Sequence, residues 1–143
     1  MIKLSDILKA VNSTLNKACP KITIDSKDLS ESFSRPSFRT ELDGLKTSAF
    51  MTTFKERNFT IRIYFFNSVV GKGREERLKI IECIEDAFLG TLWITDTFVI
   101  PVDEINFDET DDGVLIASFD SLTMEQIEND VDGEMMEELE YRF

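Results

Sequence analysis

"FTIRIYFF", residues 59–66, is the stretch that decides the fold. Phe59, Ile61, Ile63 and Phe65 alternate with Thr60, Arg62, Tyr64 and Phe66. In a strand, successive side chains point to opposite faces, so the first set forms one continuous apolar face. Such a face needs a cover, and the sequence on either side supplies two candidates. In residues 4–18, Leu4, Ile7, Leu8, Val11 and Leu15 recur at helical spacing, with Lys9, Asn12 and Asn16 opposite. Pro20 stops that helix, since it lacks an amide hydrogen and keeps its predecessor out of helical angles. Residues 74–89 carry Leu78, Ile81, Ile84 and Phe88 on one stripe, widened by Ile80 and Ala87, and end before Gly90.

The other segments read as strands and turns. "KITIDS" (21–26) alternates as a short half-buried strand, and "KDLSESFS" (27–34) reads as a loop anchored by Leu29 and Phe33. Pro36 opens a strand in which Phe38, Thr40 and Leu42 oppose Ser37, Arg39 and Glu41. "GLKTSAFMTTFKERN" (44–58) fits either a long hairpin or a loop. Two β segments follow the second helix, at 92–102 and 104–110. "DDG" (111–113) marks a hairpin turn into a strand at 114–124. Runs of strands with two separate helices, without strict βαβ alternation, predict an α+β fold. The sheet is mostly antiparallel and both helices pack on one face. Residues 1–124 form a single α+β domain, and 125–143 an acidic C-terminal tail with a short helix after Gly133.

Composition narrows the function. The chain has 143 residues, enough for one domain with its own core. Acidic residues outnumber basic ones 28 to 16, and the net charge of −12 repels nucleic acid phosphates. Such a surface still lets DNA slide past without binding. There is no histidine, which removes the commonest general base and metal ligand. Cys19 and Cys83 are far apart in sequence and form no C-x-x-C pair, so the reading is two reduced thiols, with a disulfide left open. The N-terminus has Lys3, Asp6 and Lys9 among its apolar residues, unlike a signal peptide, and no apolar run reaches membrane-span length.

Catalytic and ligand motifs fail on their spacing. "DETDDGVLIASF" (108–119) places Asp108, Thr110, Asp112 and Gly113 as an EF-hand loop would, but Phe119 stands where a bidentate glutamate is required. "GKGREER" (71–77) lacks the spacing of a phosphate loop. No serine lies in G-x-S-x-G. The expectation is therefore no enzyme, no cofactor and no metal. The residues that draw attention suit contacts between proteins instead. Arg35 and Arg62 are charged residues beside apolar strand faces, Arg62 being within reach of a cross-strand carboxylate such as Glu41. Lys72 and Arg74 form a small basic spot, and Met135, Met136, Leu139 and Phe143 share a face of the tail helix.

Two stretches together resemble the phage tail terminator family: "KDLSESFSRPSFRTEL" (27–42), with its Arg-Pro-Ser-Phe entry to a strand, and "FTIRIYFF". "MIKLSDILKAVN" (1–12) and "EMMEELEYRF" (134–143) are similar to the ends of its members. Arg39 departs from the apolar residue usual there, and "NSVVGKGREER" (67–77) is compact. The resemblance implies a structural virion protein of a long, contractile tail or a phage-derived contractile particle. It implies a homo-oligomer, a hexameric ring, capping the head-proximal end of the tail tube. Such a ring ends tube and sheath polymerisation and presents a docking surface to the neck. Implied partners are the tail tube, sheath and neck or connector proteins, with DNA only passing through the pore and no membrane contact. The implied location is the neck end of the virion tail, after assembly in the host cytoplasm. The alternatives are a neck or head-completion connector and, further off, a carboxylate-metal enzyme. On this reading the subunit and partner contacts fall to Arg35, Phe38, Arg39, Arg62, Lys72 and Arg74, to Phe50, Met51 and Phe54 of an extended arm at 44–58, and to Met135, Met136, Leu139 and Phe143.

Overall fold

The computed structural model describes residues 2–24, 36–67, 73–111 and 113–126. Its elements run α1 (Leu4–Ala18), β1 (Thr23–Ile24), β2 (Ser37–Phe50), β3 (Phe54–Phe66), α2 (Arg74–Phe88), β4 (Gly90–Trp93), β5 (Val99–Val102), β6 (Asn106–Glu109) and β7 (Leu115–Gln126). The architecture is α+β. A five-stranded sheet has the order β1-β2-β3-β7-β6, and β4 and β5 form a separate hairpin. All neighbours are antiparallel except β1 and β2.

β3 sets the register of everything else. Phe65 lies between Phe38 of β2 and Leu115 of β7, and Ile61 between Leu42 and Phe119. One parity of β3, Phe59, Ile61, Ile63 and Phe65, is buried along with Leu115, Ala117 and Phe119. The two helices cover this face. Ile7, Val11 and Leu15 of α1 and Ile80, Ile84 and Phe88 of α2 join the same core. The Phe88 ring packs on Phe119 at 5.8 Å, and Phe38 on Phe65 at 5.3 Å. Leu92, Ile100 and Val102 of the β4–β5 hairpin complete the cluster.

Polar bonds fix the helices to the sheet. The Thr40 hydroxyl meets Asn12 Oδ1 of α1 at 2.6 Å. Just before α1, the Ile2 amide donates to Glu125 Oε2 of β7 at 2.8 Å, and Arg57 Nη1 of β3 donates to the Ile2 carbonyl at 2.9 Å. At the start of α2, Arg77 pairs with Glu109 of β6 at 3.0 Å.

The structure amends several sequence expectations. Residues 44–58 are hairpin, not loop: β2 and β3 pair out to Phe50 and Phe54, interrupted by a bulge between Asp43 and Lys46 where Gly44 has φ +62°. β7 runs beside β3 along the same length, ending with Gln126 opposite Phe54. The excursion is therefore a three-stranded extension of the sheet. Its turn holds Met51 and Thr52 at φ 54° and 60°, a left-handed conformation that neither residue type favours. Residues 92–102 are two strands joined by a turn in which the Ile94 amide bonds the Phe98 carbonyl. Leu78 is exposed, because the buried stripe of α2 is Ile80, Ile84 and Phe88. Phe38, expected among the contact residues, is fully buried opposite Phe65 and belongs to the core. Phe38→Ala is accordingly expected to cost about 3–5 kcal/mol of stability in urea unfolding, the size of a cavity left by a core aromatic.

Candidate functional site: an open three-stranded face

Alternation that buries one parity of β2, β3 and β7 turns the other parity away from the helices. Near the bulge this outer face is charged. Arg39 Nε lies 3.5 Å from Glu41 Oε1, two residues along the same strand. Arg62 Nε lies 3.2 Å from Asp43 Oδ2, at an angle that makes an ion pair without a good hydrogen bond. The cross-strand partner of Arg62 is thus Asp43, although Glu41 stands directly opposite it in the register. Glu41 instead accepts from the Tyr64 hydroxyl at 3.3 Å. Thr60 on β3 donates to Asp120 Oδ1 on β7 at 2.6 Å. These side chains are partly solvated, so the pairs fix side-chain geometry more than they stabilise the fold.

Toward the hairpin end the character changes. Phe50, Leu122 and Met124 are exposed on the outer face, and Met51, at the turn, is 72% exposed. Phe54 is half-buried opposite Phe50. Single exposed apolar residues need no explanation, but these gather at one end of the sheet, the arrangement from which interaction surfaces are built. Lys46 and Lys55 flank this end, and no ion pair to either is found among the described residues.

Among the described residues, the edges of this extension carry no further strand. β1 pairs with β2 only at Ser37 and Phe38, and β6 pairs with β7 only as far as Ser118. Among the described residues, β2 from Arg39 to Phe50 and β7 from Phe119 to Gln126 each have one strand neighbour, β3. A sheet edge without a neighbour is a template for a further strand.

Other candidates offer less chemistry. The acidic stretch at 108–119 is a β-hairpin: the Gly113 amide bonds the Thr110 carbonyl, and the Thr110 amide bonds Val114. Among the described residues no group of three or more Asp, Glu or Cys is placed to hold a metal ion. No helix among them is long and apolar enough to cross a membrane. An open groove of about 620 Å³ runs between α1 and the β4–β5 hairpin, lined by Asp6, Lys9, Lys17 and Trp93 among others. Of the expected contact residues, Arg39, Arg62, Phe50 and Phe54 share the outer face with Met51 at its end. Arg74 is exposed at the start of α2. Arg35, Lys72, Met135, Met136, Leu139 and Phe143 lie outside the described residues. Sequence reading missed Leu122 and Met124. Their alternation with buried Ser121 and Thr123 inverts the usual polarity, and that inversion was the available signal.

Tyr64 reports on this face. Burial, then the Glu41 carboxylate beside it, raises its pKa above the ordinary 10.0, and Arg62 opposes the shift. The fold thus favours the neutral phenol. That contribution is fully present below pH 10 and is lost as pH rises through the folded pKa. Glu41→Gln is expected to bring the phenolate absorbance transition of Tyr64 back toward the ordinary value, with burial retaining part of the shift.

A search of curated proteins finds no match. A family model described as "Phage tail terminator protein" matches residues 6–133, from within the first turn of α1 to beyond the end of β7. The chain belongs to the phage tail terminator protein family.

Proposed function

We propose that this protein forms a ring, of six copies, that caps the head-proximal end of a tail tube and acts through protein–protein contacts without catalysis. The observation that carries the reading is that, among the described residues, both edges of the three-stranded extension, on opposite sides, carry no further strand. β2 and β7 both run antiparallel to β3, so they run parallel to each other. Joining the β7 edge of one copy to the β2 edge of the next is a head-to-tail contact. A contact of that kind either propagates or closes, and closure gives a ring. Edge-to-edge pairing also satisfies the backbone groups that each free subunit leaves to solvent.

In this reading the apolar end of the extension, Phe50, Met51, Phe54, Leu122 and Met124, meets a neighbouring tail component at one end of the ring. Tube protein, sheath protein and the neck are the partners, and the ring ends tube and sheath growth by offering the neck a different surface. Arg39, Arg62 and Arg74 remain contact candidates, with Arg35, Lys72 and the tail residues Met135, Met136, Leu139 and Phe143 beside them. A net charge of −12 lets DNA pass the hole without adhering. The place of action is the neck end of the virion tail, after assembly in the host cytoplasm.

Solution mass by light scattering over a concentration series, and image averaging of assembled particles, test the ring. The expected outcome is a six-fold ring on the last tube layer. A monomer both in solution and in the particle rejects it, and density at the portal instead favours the connector role. Removing 46–55 is expected to leave a folded monomer, because the buried core contains no residue of that segment, and to weaken assembly. Thermal unfolding and light scattering on the same variant separate the two effects.

A further inference from the structure

The groove between α1 and the β4–β5 hairpin takes no part in the outer sheet face or the sheet edges. On its α1 side stand Asp6, Lys9, Ser13 and Lys17, which recur at helical spacing and share one face of the helix. On its hairpin side stands Trp93, 62% exposed, with Thr91 and Thr95. Lys9 and Lys17 are exposed, and among the described residues neither has an ion pair. Two lysines against one aspartate make the lining basic, on a chain whose net charge is −12. A solvated indole beside two ammonium groups suits an acidic segment that also carries large apolar side chains.

We propose that residues 127–143 of the same chain dock in this groove in the free subunit. Charge, starting point and length all favour that occupant. The segment holds seven acidic residues against one basic residue, Arg142. It also carries Met135, Met136, Leu139, Tyr141 and Phe143. Its starting point is anchored beside α1: β7 ends at Gln126, and the preceding Glu125 accepts from the Ile2 amide at 2.8 Å. From there the lining of the groove begins at Asp6, in the first turn of α1, and runs to Lys17 in the last. The segment extends to about 56 Å and α1 is about 22 Å long, so it reaches the whole groove. Its carboxylates pair with Lys9 and Lys17, and a methionine or aromatic side chain covers the Trp93 indole, a ring that thioethers pack against favourably. The contact is intramolecular, so it is read on the isolated chain and stands or falls separately from ring formation.

Trp93 is the chain's only tryptophan, so its fluorescence reports on the groove directly. In a dilute, low-salt solution of the full chain, Trp93 is expected to be shielded from acrylamide. Raising the salt to about 1 M, where the Debye length falls to about 3 Å, is expected to increase the quenching about twofold. Lys9→Glu combined with Lys17→Glu is expected to give the same increase at low salt. A carbodiimide, which joins lysine amines to carboxylates, is expected to link Lys9 or Lys17 to Glu134, Glu137, Glu138 or Glu140 within one chain, as read by peptide mass mapping. Links from residues 127–143 that go only to Lys46 and Lys55, or no links from them at all, overturn the proposal. So do links found only between chains, which make a neighbouring copy's segment the occupant, or wild-type quenching that is the same at low and high salt. The wild-type salt series and cross-link map decide the matter even where the charge-reversed variant fails to fold.

Discussion

The hydrogen-bonded position of β3, with β2 on one side and β7 on the other for nearly its whole length, constrains the rest of the molecule. Side chains in a strand alternate with a period of two, so a slip of one residue on either side would turn a core row out to water. Phe38, Phe65 and Leu115 share one row, and Leu42, Ile61 and Phe119 another. These rows fix where the helices lie, since the buried residues of α1 and α2 join them in one core. The ion pairs on the opposite face and the Tyr64 environment follow from the same parity.

The central strand also explains how the exposed apolar end of the sheet arises. The strongly apolar part of β3 is its second half, and there the helices sit. Its first half, from Phe54 to Asn58, keeps the strand pairing while the large apolar core residues are absent. The sheet therefore continues as a thin extension anchored by backbone bonds and by the tie of Ile2 to Arg57 and Glu125. A thin sheet whose edges carry no further strand among the described residues, and with apolar residues at its end, is poorly suited to solitary life in water. It is well suited to a protein whose finished state is an assembly, in keeping with the tail terminator family to which the chain belongs.

How much of this was legible in the sequence depended on the range of the interactions. α1 was readable because Ile7, Val11 and Leu15 repeat at helical spacing and Pro20 blocks extension. The hairpin at 44–58 was ambiguous because its turn residues, Met51 and Thr52, lack the glycine or asparagine that normally signals positive φ. The β4–β5 hairpin was hidden in one continuous β-rich run, since its turn at 94–98 carries neither glycine nor proline. Phe38 drew attention through the Arg-Pro-Ser-Phe stretch that carries the family resemblance, but a short recognisable motif does not say which of its side chains is buried. Leu78 fitted the helical stripe by spacing, and only the actual rotation of α2 on the sheet showed it exposed.

The amino-acid sequence by itself determined the two helices, the apolar face of the central strand, the α+β class and the absence of histidine chemistry, because local periodicity and composition carry those. Only the tertiary structure decided which strand edges lack a further strand among the described residues, and that Arg62 pairs with Asp43. Each of these depends on residues distant in the chain being brought to one place. The information for that lies in the joint burial of the whole core, which no single window of sequence contains.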